Sequence, residues 1–492
     1  MANPPCIWID PKPMRLLPTL LLSAALTGCT VGPDFVRPAA PAPATYLPPS
    51  EPSPTTGQPA AILGSGPQAG WWQAFGSPAL NALVEQALAH NRGLEASNAT
   101  LAAARHQLRA IAGQQMPQIN ASTRFDQEQQ NLAAFGFSGA GLGLSGNPQF
   151  QLYSVGGGVS YDLDLFGGLR RQVEQAAAQA QAQQRQTEAA HLALAGQVVG
   201  QVLTIAAIRE RIAVQQAILT DDQRNLDLTV RRQQAGEGTL VEVLNARSQF
   251  TADRAALPGL DQQLAEARHL LAILVGVAPA DLGPCDVDLN SLTLPTALPV
   301  TLPSELVHKR PDILATEAQL HAATAAIGIA TARLYPDITL GATLSQGSSS
   351  LGNVLTNAFR GYDVLAGLTV PVFQGGTLKA QRAAAVDRAR AANATYQQTV
   401  LNAFGQVADL LSALQTNASA VDRQREAEAV ARYSLQLSRR SFEVGNSGIL
   451  QVLDSERLYQ RASADLVMAR STQYLNVARL YVATAGGWPS QP

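Results

Sequence analysis

The side chains in this sequence that could carry out chemistry do not converge. Six histidines, His90, His106, His191, His269, His308 and His321, are scattered along 492 residues. His308 and His321 stand thirteen positions apart, which matches neither HExxH nor any paired-ligand spacing on one helix face. Each histidine reads as a solvated or packed side chain. Cys6, Cys29 and Cys285 are too few for a disulfide framework or a four-cysteine zinc site. Gly156, Gly157 and Gly158 sit inside a strand pattern with no phosphate-loop lysine after them; glycines there allow tight packing or bending of a strand. Four methionines give no Met-rich surface for carrying metal ions. The sequence predicts no catalytic residue, no cofactor and no resident metal. A net charge of −2 gives no pull toward nucleic acid.

One cysteine does have a chemical context. Arg15 precedes an apolar stretch, Leu16–Thr27, too short to span a membrane as a helix and suited to a secretory signal. The stretch ends in Leu26-Thr27-Gly28-Cys29, which resembles a bacterial lipobox, whose cysteine becomes a diacylated N-terminus after cleavage. Thr30 follows rather than Asp, which by the same resemblance favours the outer membrane. Residues 1–28 are therefore expected to be a signal peptide, with Met14 the better start and Cys29 the lipidation site. Cys6 would then be lost, and Cys285 would be a lone thiol without a role.

The remaining chain must position whatever this protein does. Hydrophobic residues make up 46%, so the chain is not disordered by composition. Aromatics at 5% and charged residues at 15% are low for a soluble enzyme and suit closely packed Ala- and Gln-rich helices. No run of about 20 apolar residues appears after residue 30, so no transmembrane helix is expected. Residues 29–77 carry ten prolines between Pro33 and Pro67 and read as an extended, lipid-anchored tether.

The body is a tandem repeat. Asn91 through Ile119 matches Arg310 through Ile338 at an offset of 219, and Gly196 and Gly236 match Gly405 and Gly445 at an offset of 209. Two units, 78–275 and 303–487, are joined by a Pro-rich linker, 276–302. Each unit opens with helices, at 78–90 and 94–115 in the first and 312–334 in the second. The period then changes to two. Ile119, Ala121, Thr123 and Phe125 alternate with polar residues, as do Val155 to Leu165, Ile338 to Leu344 and Val364 to Val372. Four strands of about ten residues, apolar on one face, carry the signature of a membrane barrel. Loops at 130–149 and 348–361 join them.

Proline-free helices follow. One runs over 168–234 with a seam of Val198, Ile205, Ile212, Leu219 and Leu226; its counterpart has Val407, Leu414, Val421, Leu435 and Phe442, with Glu428 the polar break. A seven-residue seam implies supercoiled packing. Each helix ends at a glycine turn, Gly236 or Gly445, and reverses into 240–275 or 449–485. Thr239 and Glu242 fit a capping box for the first returning helix, and Pro258-Gly259 fit a kink in it. Four strands cannot close a barrel, and open edges in lipid cost several kcal/mol per unpaired group. Two copies would give eight strands, nearly filled by side chains; three would give twelve and an open lumen.

Six motifs then carry a resemblance: Thr30-Val31-Gly32-Pro33-Asp34-Phe35-Val36-Arg37-Pro38, Trp71-Trp72-Gln73-Ala74-Phe75, Tyr161-Asp162-Leu163-Asp164-Leu165-Phe166-Gly167, Lys309-Arg310-Pro311-Asp312-Ile313, Pro371-Val372-Phe373-Gln374-Gly375-Gly376 and Val452-Leu453-Asp454-Ser455-Glu456-Arg457. Over residues 29–487 the sequence resembles the TolC-family outer-membrane factors, in the OprM/NodT-like lipoprotein branch. The resemblance implies a fold that is mainly α with a β membrane sheet, assembled as a homotrimer with a twelve-stranded barrel and an α-helical periplasmic tunnel. It implies a lipid-anchored protein of the outer membrane that partners a periplasmic adaptor (a membrane fusion protein) and an inner-membrane pump, often of the resistance-nodulation-division type. Such a duct does no chemistry and conducts small molecules, such as drugs or toxic compounds, passively. By the same resemblance Leu450 and Asp454 match the periplasmic gate, where threefold symmetry makes a dewetting leucine ring and a cation-preferring acidic ring. Gln451 stands where some relatives have a further Asp, which removes a second acidic ring. Glu242 matches a position that ties neighbouring hairpins shut, but Phe442 and Ser447 replace the Tyr and Arg expected as partners; a capping role alone fits Glu242 equally well. Two other functions compete: a duct for type I protein secretion, and a structural coiled-coil lipoprotein, which the strand alternation disfavours.

Overall fold

The computed structural model describes residues 30–39, 41, 43–48, 59–64, 66–67, 69–129, 149–356 and 360–484. The expected signal peptide, Cys29 and most of the first strand-connecting loop lie outside the described residues. Among the described residues, the strands are β1 (Ala60–Leu63), β2 (Gln118–Gln129), β3 (Gln149–Asp162), β4 (Ala297–Val300), β5 (Asp337–Ser348) and β6 (Arg360–Thr369). Eight α-helices are α1 (Pro78–His90), α2 (Arg92–Gly113), α3 (Gly168–Gln234), α4 (Leu240–Val275), α5 (Pro303–Lys309), α6 (Pro311–Ala332), α7 (Thr377–Glu443) and α8 (Ile449–Thr484). The fold is mainly helical. The chain divides into two compact units, one of residues 1–37, 103–180 and 318–393, the other of 38–102, 181–317 and 394–492.

The first unit holds a four-stranded antiparallel sheet in the order β2-β3-β5-β6. Directly opposed residues of antiparallel strands share a face. The register therefore draws the alternating pattern into rows that cross the sheet. Ile119 opposes Val159, Val159 opposes Ala342, and Ala342 opposes Val364. One step along, Asn120, Gly158, Thr343 and Asp363 make the matching row on the other face. One face is thus mostly apolar and the other mostly polar or small, with Phe150, Leu152 and Leu365 as exceptions on the second. Ile119, Val364 and Leu368 on the apolar face are exposed in the single chain. Gly156 earns its place on β3 by close approach: a Cβ there would lie 2.8 Å from the Leu344 carbonyl oxygen.

In the same unit the segment after Cys29 is docked rather than loose. The Arg171 guanidinium, 5% exposed, donates to the carbonyls of Val31 and Gly32 and pairs with Asp34 and Glu174 at 2.6 Å each. Phe35 stacks on His321 at 4.4 Å, and Glu174 also meets His321 at 2.9 Å. The described residues 31–35, at the head of the expected tether, are thus packed on protein.

The second unit is mostly helical, and its larger core lies around the aromatic motif. Trp71, Trp72 and Phe75 are buried, with Trp71 stacked on Tyr481 at 5.3 Å and Phe75 6.3 Å from Tyr474. Leu192, Val198, Val202, Ile205, Val407 and Leu414 join the same core. Beside it β1 and β4 pair in parallel, Ala60 with Ala297 through Leu63 with Val300. That small sheet is absent from the sequence expectations, because four-residue strands, one containing Pro299, carry no period. A second departure concerns hydropathy. Stretches of α3 and α6 are apolar enough to cross a membrane by length and composition, against the expectation of none. More than half of each stretch is buried in protein, and in α3 it is the row from Leu192 to Ile205 that makes core. A third is a shift of seam: Ile218 is buried where Leu219 was expected and Leu219 is half-buried, as a 3.6-residue helix drifts against a strict heptad.

Candidate functional site at the hairpin tips

α3 and α7 are 67 residues each, and α4 and α8 are 36 each. Both reversals use the same chemistry. Gly236 and Gly445 each have φ of +78°. The amide of Glu237 donates to the Arg232 carbonyl at 2.9 Å, and the amide of Asn446 to the Ser441 carbonyl at 2.8 Å, closing the last helical turn. α4 then starts on a capping box. The Glu242 amide donates to Thr239 Oγ1 at 3.3 Å, and the Thr239 amide donates to Glu242 Oε2 at 2.7 Å. The Glu242 carboxylate is thereby engaged within its own hairpin.

The four helices share a small core of Leu226, Val243, Ala246, Leu435, Phe442, Ile449, Val452 and Leu453. Leu450 and Asp454 point away from it. They lie one helical turn apart on one face of α8, with Leu450 61% exposed. Asp454 approaches Arg457 at 3.5 Å with both side chains mostly exposed, a pair that contributes little. Leu450 and Asp454 thus present an apolar and an acidic side chain to the surroundings of the single chain.

Sequence reasoning missed what fastens the two hairpins together. Arg232 Nη1, at the end of α3, donates to the Phe442 carbonyl at 3.0 Å. Deeper in, Arg439 of α7 donates to Asp221 of α3 at 2.8 Å and to Glu456 of α8 at 2.6 Å. Ser438 and Ser455 meet at 2.8 Å, both buried. Glu456 stands in a quoted motif without an assigned role; its burial is the signal, since charged residues in a motif are read by default as solvent-facing. Glu428, the polar break in the seam, is buried as the heptad requires and bonded by Arg432.

Comparison with known proteins follows this geometry. A family model described as outer membrane efflux protein matches residues 83–277 and again 302–486. The pyoverdine export outer membrane protein OpmQ of Pseudomonas aeruginosa is 31% identical over 420 residues, covering 85% of this chain and 88% of that one. The toluene efflux pump outer membrane protein TtgC of Pseudomonas putida is 29% identical over 481 residues, covering 96% of each. Among solved structures, the outer-membrane channel OprN superposes with a TM-score of 0.83 at 28% identity, over 94% of this chain and 100% of that one. By their names these relatives are an export protein, a pump component and a channel of the outer membrane. With both halves matched by one family model, the chain belongs to the outer membrane efflux protein family.

Proposed function

We propose that this protein is the outer-membrane exit duct of a tripartite efflux system. The observation that carries the reading is the sheet: its register sorts most apolar from polar residues by face, and among the described residues β2 and β6 each pair on one side only. Such edges need partners in lipid, and three copies supply twelve strands around an open lumen. The apolar rows then face lipid and the polar rows line the lumen. α3, at about 1.5 Å per residue, reaches on the order of 100 Å, a length suited to crossing the periplasm rather than to a globular core. Residues 1–28 act as signal peptide, Cys29 as lipid anchor, 29–77 as a tether that is held to protein at 31–35, 60–63 and 71–75, and 78–275 and 303–487 as the two repeats around the linker 276–302.

Leu450 and Asp454 form the periplasmic gate, one ring of each per trimer, near the tips marked by Gly236, Glu242 and Gly445. An apolar ring resists wetting and an acidic ring prefers cations, so conduction is low at rest. A periplasmic adaptor docks on the duct and an inner-membrane pump, of the resistance-nodulation-division type, supplies the energy. The duct itself conducts small molecules passively; relatives named for pyoverdine export and toluene efflux support organic cargo. Single-channel conductance in planar bilayers tests this. Wild type should conduct weakly and Leu450→Ala/Asp454→Ala widely. Folded, inserted protein that conducts in neither form would overturn the reading in favour of a structural lipoprotein.

A further inference from the structure

Four acidic side chains gather inside the tip bundle. Asp221 and Asp222 of α3, Asp253 of α4 and Glu456 of α8 converge near one guanidinium, Arg439 of α7. Arg439 serves Asp221 and Glu456, and Glu456 also accepts from Asn225 Nδ2 at 3.3 Å. Asp253 accepts from Gln249 Nε2 at 2.7 Å. Arg224 reaches Asp221 from the outer side of α3 at 3.6 Å. Asp222 has none of this help. It is 2% exposed, Glu456 is fully buried, and neither Asp222 oxygen meets a donor.

What Asp222 meets instead is the carboxyl groups of Glu456 and Asp253. Two ionised carboxylates repel and have no hydrogen to share; one protonated carboxyl donates to the next. An ionised, unpartnered carboxylate at this depth is very costly, so the group holds its proton instead. Burial first, then the charges of Glu456 and Asp253, push the Asp222 carboxyl upward. Glu456 is raised as well, burial outweighing the pull of Arg439.

We propose that Asp222 carries a proton shared with Glu456 and Asp253, and that this proton latches the four hairpin helices, so that losing it loosens the gate end of the duct. The latch rests on the duct reading for its consequence, not for its chemistry. Its release is a plain ionisation: the Oδ–H bond breaks, the proton passes to water, and Asp222 is left as a carboxylate facing two others. Glu456 lies two residues beyond Asp454 on α8, one buried and the other exposed. α8 therefore cannot swing Asp454 without drawing Glu456 off Arg439. A loosened bundle admits water to Asp222 and returns it to the ordinary carboxyl range near about 4. The closed bundle holds the proton more tightly, so it is favoured as pH falls. Between the ordinary and the raised pKa, each pH unit upward moves the balance roughly tenfold toward the loosened form.

Amide hydrogen exchange on the full, lipidated protein in nanodiscs tests the latch. Protection of residues 218–229 and 449–460 is read from pH 5 to pH 8 and corrected for the pH dependence of intrinsic exchange. Wild type should lose protection with rising pH, approaching tenfold per unit. Asp222→Asn, whose amide can still donate to Glu456, should be flat and at least as protected at pH 8. Equal slopes in the two proteins would overturn the proposal. Should Asp222→Asn fail to fold, infrared spectroscopy of wild type with ¹³C-labelled aspartate decides: a protonated carboxyl persisting at neutral pH supports the latch, and complete ionisation sinks it. Neither readout needs conduction. A pH slope in a protein that never conducts keeps the latch and removes the duct, whereas conduction with a flat wild-type profile does the reverse.

Discussion

The guanidinium of Arg232 lies 4.8 Å above the ring centre of Phe442 while donating to the same residue's carbonyl oxygen. One side chain at the end of α3 thus grips the end of α7 twice, through the backbone and through the ring. Phe442 itself is buried among Leu226, Val243 and Ile449, so the grip joins a fixed point.

Replacing Arg232 by Ala removes a charged hydrogen bond and a cation–π contact, together about 2 kcal/mol. That is about a 30-fold loss of local stability. Hydrogen exchange over residues 440–450 should show it, and resting conductance should rise. Arg232→Lys should recover only part, since an ammonium lacks the planar fork.

The two faces of β5 should answer differently to charge. Ala342 lies in the apolar row with Val159 and Val364, and Thr343 in the row with Gly158 and Asp363. Ala342→Arg should cost about 2–4 kcal/mol per copy if it meets the lipid midplane, and block insertion. Thr343→Arg should insert and change ion selectivity. Heat-modifiable migration on gels and bilayer recordings read the two outcomes.

Gly276 and Gly236 both have positive φ, but only one is walled in. A Cβ on Gly276 would collide with the His90 carbonyl oxygen, whereas nothing lies within 4 Å of one on Gly236. Gly236→Ala should cost about 1–2 kcal/mol, the left-handed backbone alone. Gly276→Ala should cost clearly more, because the carbonyl of His90 belongs to backbone and cannot swing away. Thermal unfolding by circular dichroism separates them.

Stability of the tip bundle should rise on acidification from pH 8 to pH 5. The folded bundle raises the Asp222 pKa above its unfolded value, so it binds more protons than the unfolded chain. Stability is then fullest at low pH and falls as pH climbs toward the raised pKa, by up to about 1.4 kcal/mol per unit for one proton. Arg439→Met should steepen the slope, because it strips Glu456 and Asp221 of their counter-charge.

Arg171 fastens residues 31–34 through two carbonyls and Asp34. Arg171→Ala should release them and cost about 2–3 kcal/mol locally, since it also takes away one of the two partners of the half-buried Glu174, leaving His321. Limited proteolysis near residue 35 should accelerate while the helical spectrum stays unchanged.

The sequence made the long elements legible and the interior chemistry illegible, for physical reasons. α3 and α4 are bounded by Gly168, Gly236, the Thr239 cap and Gly276, residues whose backbone demands mark ends directly. Strand faces followed from alternation, and the register of Ile119, Val159, Ala342 and Val364 agreed with it. Strand limits did not, since β3 begins at Gln149, inside what reads as a loop. Asp222 and Glu456 escaped notice because an acidic residue beside an apolar seam looks like the wet face of a helix. Only the packing of four helices shows that this flank is dry. Phe442 was visible in the seam and Arg232 was not singled out at all, because a bond across 210 positions has no periodicity to betray it.

The equal lengths of α3 and α7, and of α4 and α8, carry a consequence for inheritance. Their ends meet in one shared core only when all four stay in step. Deleting a heptad from a single member would carry Phe442 or Ile449 past its neighbours and scatter the turn glycines. Deleting a heptad from every member would shorten the protein and leave the meeting intact. Size is therefore transmitted as one quantity, a ruler marked in sevens, free to change only in quadruplicate.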